Sequence, residues 1–297
     1  MFSYTEKFND ALTISRSYDQ IESFQTPYQK IDLIKNSTIP GFECAFIDGE
    51  LQLSMEDEYF YHESLVHPAM FAHENPKDIL IMGGGDGMAL REVLKHPIAS
   101  VTLIDLDEQF VNWCKNNKSH WGNKSFLNPK VKLIFGDALK EIKKFNKQFD
   151  VIICDLVTLL DKELFGDNLP YSTTELYNKK FFQNCSDALK NSSGIFTTQS
   201  HNLGLSDNSY KRHTWINDQL KSVFSITNSY AAYVESFCST TSFISSSDTV
   251  DVSKLKQKRI QDIETMTNLF KVYEYDFHKS LFYLNKIQKE LLKKGYI

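Results

Sequence analysis

The sequence predicts an α/β protein: a doubly wound parallel sheet with helices on both faces, preceded by a small antiparallel β domain. Three observations predict it. From about residue 76, the runs "DILIMGG", "SVTLIDLD", "KVKLIFGD", "FDVIICDL" and "SGIFTTQS" are short, apolar and closed by Gly, Asp or another polar residue, with helix-like segments between several of them. The first run enters a glycine-rich turn, "GGGDG", that opens onto a helical pattern. Upstream, residues 28 to 63 carry short segments of alternating character punctuated by "STIPG" and "DGE".

In chain order, "QKIDLIK", "FECAFIDG" and "ELQLSME" read as an antiparallel meander, within an N-terminal β domain expected over residues 1 to 70. The α/β domain is expected over 71 to 297. Its tail, "YDFHKSLFYLNKIQKELLKKG", places Leu281, Leu284, Ile287 and Leu291 at helical spacing and ends in lysines before Gly295, as a helix C-terminus should.

The 297 residues are 41% hydrophobic, 24% charged and 13% aromatic, which excludes a disordered or low-complexity chain. A net charge of -5 gives no basic footprint for nucleic acid and suits cationic ligands better. Cys44, Cys114, Cys154, Cys185 and Cys238 are odd in number and scattered, which argues against a disulfide framework or a zinc site and suits a reducing cytoplasm. No apolar run approaches the ~20 residues of a membrane span, and the first residues lack a signal pattern.

In open parallel sheets ligands bind beyond the strand C-terminal ends, and here those ends carry acids: Asp86, Asp105 with Asp107, Asp137 and Asp155. Asp86 has the wrong sign for a phosphate cradle, because anions are what helix N-termini favour. Asp105, about 20 residues after the turn, is placed to accept ribose hydroxyls. Asp137 in "FGDA" is placed to accept an adenine amine, the pattern of nucleoside-binding methyltransferase-like sheets. Each acid taken alone also fits a helix cap or a solvated loop charge.

The stretches "GELQLSMEDEYFYHESLVHPAM", "ILIMGGGDGMALREVLKH", "VTLIDLDE", "FGDA" and "FDVIICDL…LY" resemble the polyamine aminopropyltransferases, the spermidine synthase family, over roughly residues 26 to 245. The G-G-G-D-G turn, the Y-H-E after D-E and the D-G-x-x-Q hairpin carry the resemblance. It implies a small N-terminal β domain on a Rossmann-like, methyltransferase-type domain. It also implies transfer of an aminopropyl group from decarboxylated S-adenosylmethionine to an amine, with no permanently bound cofactor and no metal. Position by position, Gln52, Asp105, Asp137 and Ala138 would hold the adenosine and its thioether, with Gly83 and Asp86 on the same co-substrate. Asp86 and His62 would hold amine groups, Tyr61 would line the reaction site, Tyr177 would lie on the substrate side, and Asp155 would accept the proton. A homodimer or homotetramer is implied as well.

The chemistry suits these residues. Decarboxylated S-adenosylmethionine is a dication whose ammonium can pair with Asp86, whereas the ordinary methyl donor would bring a carboxylate against it. An alkyl ammonium, with a pKa near ~10.4, must lose a proton before it can attack, and Asp155 can take it.

The sequence also departs from the family. "DLVTLLDKELFGDNLPYSTTELY" has Thr158 where the family carries a second acid, lacks the following proline, and is longer before Leu176 and Tyr177. Asp161 is a candidate replacement, or a solvated loop acid. "AAYVESFCSTTSFISSSD" and the tail are closer to thermospermine synthases, with Glu235 in place of proline. The acceptor, putrescine or a triamine such as spermidine, stays open. Two other readings remain: methyl or aminocarboxypropyl transfer from intact S-adenosylmethionine, and a non-catalytic polyamine- or nucleoside-binding homologue. Trp113, Phe181, Phe182 and Tyr177 are expected in the core, and His67 as a packed or capping histidine.

Overall fold

A computed structural model describes residues 1–7, 13–118, 120–122, 124–165, 172–203 and 209–295. The chain divides into two compact units, Met1–Glu58 with Val234–Ser239, and Tyr59–Tyr233 with Thr240–Ile297. The expected boundary at residue 70 falls inside a helix that begins at Glu58.

In the first unit, β1 (Phe2–Lys7) pairs antiparallel with β2 (Thr13–Tyr18). β3 (Gln20–Gln25), β4 (Lys30–Lys35), β5 (Glu43–Ile47) and β6 (Glu50–Ser54) form an antiparallel sheet in that order. The meander thus starts earlier than residue 28 and ends by residue 54. Asp48 and Gly49, both left-handed at φ 50 and 89, make the two-residue turn between β5 and β6, the conformation whose twist matches a hairpin. Ile34, Cys44, Phe46 and Leu51 form the apolar cluster of this unit, with Tyr4, Tyr18, Phe42 and Phe237 against it. The segment Val234–Ser239 is tied in by polar bonds. Ser236 donates from its N and Oγ to the Asp57 carboxylate at 2.7 and 2.8 Å, and its carbonyl accepts from Arg16 at 2.5 Å.

From Glu58 on, helices and strands that belong chiefly to the second unit alternate: α1 (Glu58–Ala72), β7 (Asp78–Gly83), α2 (Met88–Leu94), β8 (Ser100–Asp105), α3 (Glu108–Asn117), β9 (Val131–Phe135), α4 (Ala138–Glu141) and β10 (Val151–Asp155). There follow α5 (Lys162–Phe165), α6 (Lys179–Ala188), β11 (Ile195–Asn202), α7 (Ser209–Lys221), β12 (Ile226–Val234), β13 (Ser239–Ser247), α8 (Gln257–Met266), α9 (Tyr275–Leu281) and α10 (Lys286–Lys294). Strand order in the sheet is β12-β13-β11-β10-β7-β8-β9. The five strands from β11 to β9 are mutually parallel, while β13 runs antiparallel to β11.

Because successive strand residues face opposite sides, each central strand feeds two cores. Ile79 and Ile81 of β7 and Val151 and Ile153 of β10 join α1 and α2 residues such as Leu65, Leu90 and Val93. Leu80, Met82, Ile152 and Cys154 join Phe181, Phe182 and Cys185 of α6 on the other face. This layering is why the runs read as continuous apolar strands.

Three expectations change. Residues 58 to 63 are helical, not part of the meander, and carry an acid, Glu58, in the first turn. The sheet is mixed, because β12 and β13 follow one another across only Glu235–Cys238, too few residues for a parallel crossover. The tail is two helices: Asn285 makes a capping box with Gln288 and starts a new helix, leaving Leu281 and Leu284 buried and Ile287 exposed.

Candidate active site

β7 and β10 are neighbours, but the chain leaves β7 toward β8 on one side and β10 toward β11 on the other. Their C-terminal ends therefore part around a crevice, the switch point at which such sheets bind ligands. Gly83 closes β7 at φ 80, and a Cβ there would stand 2.0 Å from the Asp155 carbonyl oxygen. Only glycine permits that approach. Gly84 N donates to the same carbonyl at 3.2 Å, locking turn to strand. Asp86 then turns back, its Oδ1 accepting from Met88 N at 2.7 Å where α2 begins.

Asp105 ends β8, with Oδ1 accepting from Asp107 N at 2.8 Å. Loss of solvent pushes its carboxyl up to about 7, with Asp107, Asp86 and Asp155 adding negative charge against the one backbone N–H that opposes them. Asp155 ends β10, and its Oδ1 accepts from Tyr61 Oη at 2.7 Å. Desolvation raises it to about 6; His62 works against that rise, Asp86 adds to it, and the Tyr61 hydrogen bond opposes it. The Tyr61 phenol is pushed well above its ordinary range by burial and by Asp155, so it stays a proton donor. Helix α1 supplies both Tyr61 and His62, whose rings lie 5.0 Å apart, and the Tyr61 ring also packs edge-on to Phe243 at 5.4 Å.

The structure thus brings Asp86, Asp105, Asp155, Tyr61 and His62 together. Asp137 follows β9 next to Gly136, whose N donates to the Asp105 carbonyl at 2.9 Å. Asp137 Oδ1 accepts from Leu139 N at 2.9 Å, which caps α4 and makes the buried Ala138 the first helical residue. Gln52 belongs to β6 of the first unit, where its exposed side chain reaches the Glu50 carbonyl at 3.4 Å. Tyr177 is fully buried; its Oη donates to the Val157 carbonyl at 2.7 Å and accepts from Gln199 Nε2 at 2.9 Å. Gln199 was not singled out from the sequence, although a glutamine closing the apolar run "SGIFTTQS" is a signal of that kind. Asp161 accepts from Glu163 N, Leu164 N and Ser172 Oγ, bonds that hold it at the start of α5. Glu235 belongs to the Val234–Ser239 segment of the first unit.

Among the described residues, Glu63, His67 and Glu92 also stand close enough to share a metal ion. That cluster carries its own cation: Lys95 lies 2.5 Å from Glu92 and 3.6 Å from Glu63. Glu63 accepts in addition from the backbone N–H groups of Lys271, Val272 and Tyr273. His67 is a packed residue of this network, bonded to Glu92 and His96. A surface cavity of about 630 Å³ beside the starts of β10 and β11 has Lys143, Lys147 and Lys190 in its wall, and the Lys190 ammonium is already bound to Asp78 and Asp150.

Residues 58–257 match the spermine/spermidine synthase domain. The chain belongs to this family. It is 31% identical over 251 residues to polyamine aminopropyltransferase 2 of Hyperthermus butylicus, covering 84% of this chain and 78% of that one. It is 33% identical over 247 residues to a thermospermine synthase of Arabidopsis thaliana, covering 82% and 69%. Among solved structures, the spermidine synthase of Thermotoga maritima superposes with a TM-score of 0.85 at 25% identity, covering 99% of this chain and 95% of that one. A spermidine synthase in complex with the transition-state analogue AdoDATO gives 0.84, also at 25% identity, covering 99% and 94%. The doubly wound sheet and the small N-terminal antiparallel sheet are therefore those of an enzyme of the polyamine aminopropyltransferase family.

Proposed function

We propose that this enzyme moves the aminopropyl group of decarboxylated S-adenosylmethionine onto a nitrogen of putrescine or of a triamine such as spermidine, releasing methylthioadenosine. The observation that carries this reading is the convergence of Asp86, Asp105 and Asp155, where loss of solvent first, and the charge of neighbouring acids after it, raises the Asp105 and Asp155 carboxyls. Such a cluster is relieved by a ligand that brings positive charge, and the proposed donor brings a sulfonium and an ammonium.

In this reading Asp105 accepts the ribose hydroxyls, Asp137 the adenine amine beside Ala138, and Asp86 pairs with the donor ammonium. Gly83, by letting the turn close against the Asp155 carbonyl, sets where the donor-binding turn stands. His62 and Tyr177 border the acceptor. An acceptor ammonium gives its proton to the ionised Asp155, and the freed lone pair attacks the carbon next to sulfur. The carbon–sulfur bond then breaks with its electrons passing to sulfur, which leaves as a neutral thioether. Tyr61, donating to Asp155 Oδ1, steers that carboxylate. Holding both reactants in line supplies a large part of the acceleration.

Incubation with decarboxylated S-adenosylmethionine and an amine panel is expected to give methylthioadenosine and an aminopropylated amine in equal amounts by mass spectrometry. No product with any amine overturns the proposal. Tighter calorimetric binding of intact S-adenosylmethionine than of its decarboxylated form would favour methyl or aminocarboxypropyl transfer instead.

A further inference from the structure

The four peptide carbonyls that follow Asp155 are each held by a side chain. Gln199 Nε2 donates to Leu156 O at 3.0 Å and Tyr177 Oη to Val157 O at 2.7 Å. Thr173 Oγ1 donates to Thr158 O at 2.8 Å and Arg212 Nε to Leu159 O at 2.9 Å. Thr173 reaches further along the same segment: its Oγ1 accepts from Leu160 N at 2.7 Å and its own N donates to Leu160 O at 2.9 Å. Backbone groups outside helix and sheet ordinarily go to water, and such segments move. Here the donors come from β11, from α7 and from the turn at Thr173–Tyr177, and all four donor residues are under 9% exposed.

The clamped segment lies on one side of the crevice. It leaves β10 directly from Asp155, whereas Asp105 ends β8 and Asp137 follows β9, both beyond β7 in the sheet. No side chain between Asp155 and Asp161 is ionisable, and Asp161 is committed to the start of α5. Acceptor binding next to Asp155 therefore depends on where this uncharged backbone is held. Rotation of one carbonyl would carry the neighbouring peptide, and Asp155 with it, out of line, and misplacement by about 1 Å can cost on the order of a hundredfold in rate.

We propose that Thr173 and Arg212 are positioning residues: they hold Leu156–Leu160 as a preformed wall of the amine side and set affinity for the acceptor without touching the nucleoside side. This rests on the aminopropyl-transfer reading.

The test measures amine and methylthioadenosine binding separately by calorimetry, putrescine and spermidine being titrated into the methylthioadenosine-loaded protein. Thr173→Val and Arg212→Met are each expected to weaken amine binding about tenfold, by restoring freedom that must be lost on binding. Methylthioadenosine affinity should stay within twofold. Thr173→Ser, which keeps the hydroxyl, should restore amine affinity. Hydrogen exchange of the Leu160 amide reports the clamp itself and should quicken in Thr173→Val alone of the two Thr173 variants. Because Arg212→Met removes a buried side chain, Thr173→Val is decisive where the former fails to fold. Unchanged amine affinity despite a freed Leu160 amide, or equal weakening of both ligands, overturns the inference and leaves the transfer reading standing. A wild-type protein that binds methylthioadenosine but no amine, and forms no product, defeats both.

Discussion

Glu92 and Asp155 are carboxylates of the same unit, both shielded from water, yet they respond in opposite directions. Burial alone would raise Glu92, but His67, Arg91 and Lys95 lie within 2.9, 2.7 and 2.5 Å of its oxygens and hold it well below the ordinary carboxylate range. Asp155 is raised by desolvation; His62 and the Tyr61 hydrogen bond draw it back, while Asp86 pushes it further up. One cluster has its countercharge built in and serves the fold. The other gathers acids against one another and is suited to a cation brought by a ligand.

Four outcomes would sharpen or break that contrast. Asp155→Asn should lower turnover about 1000-fold, within the range expected for loss of a general base, while the melting temperature holds or rises, since a raised acid is a liability to the folded state. A marked fall in melting temperature would place Asp155 with Glu92 as a structural acid. Glu92→Gln should cost roughly 3 to 5 kcal/mol in urea unfolding, because it strands buried partners of an ion pair. A loss under about 1 kcal/mol would mean that the network is dispensable.

The pH dependence of stability should separate the clusters by sign. Asp105 and Asp155 keep protons in the folded state, to about 7 and about 6, that the unfolded chain releases near 3.8. Their contribution is full below that lower value and is lost as pH rises through the folded values, on the order of 4 kcal/mol for Asp105 and about 3 kcal/mol for Asp155. Glu92 does the reverse: its contribution is present above the unfolded value of 4.5 and fades as pH falls below it. Urea midpoints of the Asp105→Asn/Asp155→Asn double variant should no longer decline between pH 4 and 7, and wild-type kcat/KM should climb through about 6 as Asp155 ionises. The smallest effect is expected from Asp161→Ala, a lost helix start costing at most about 1 kcal/mol. Its KM for amine should not move; a large rise would return Asp161 to the acceptor side.

The parallel strands were legible because a strand buried on both faces is apolar along its middle, as Ile79–Met82 of β7 and Val151–Cys154 of β10 are. β12 and β13 were not legible as strands. "STTSFISSS" is polar by composition, but several of its hydroxyls are bonded inside the fold: Ser245 Oγ donates to Thr197 Oγ1 at 3.0 Å, Thr197 Oγ1 lies 3.1 Å from Tyr230 Oη, and Ser242 Oγ donates to the Ser200 carbonyl at 3.0 Å. The break in the tail was hidden because the apolar spacing continues across it while Asn285 caps a second helix. Within the site, acids at strand ends could be named from sequence, since a strand end fixes where its next side chain stands. The carbonyl clamps after Asp155 could not, because Thr173, Gln199 and Arg212 come from three distant stretches and act on backbone, which leaves no pattern in residue type.

The discontinuous first unit has a consequence for how this protein is made. A nascent chain that has cleared the ribosome only through Glu58 holds all six N-terminal strands, but Asp57 lacks the Ser236 donors and Arg16 lacks the Ser236 carbonyl that close the unit. That closure waits until residue 239 has emerged, after β7 to β12 have been synthesised. The region translated first is thus among the last to be finished, and a stop codon shortly before Ser236 would leave its assembly incomplete as surely as one inside the crevice.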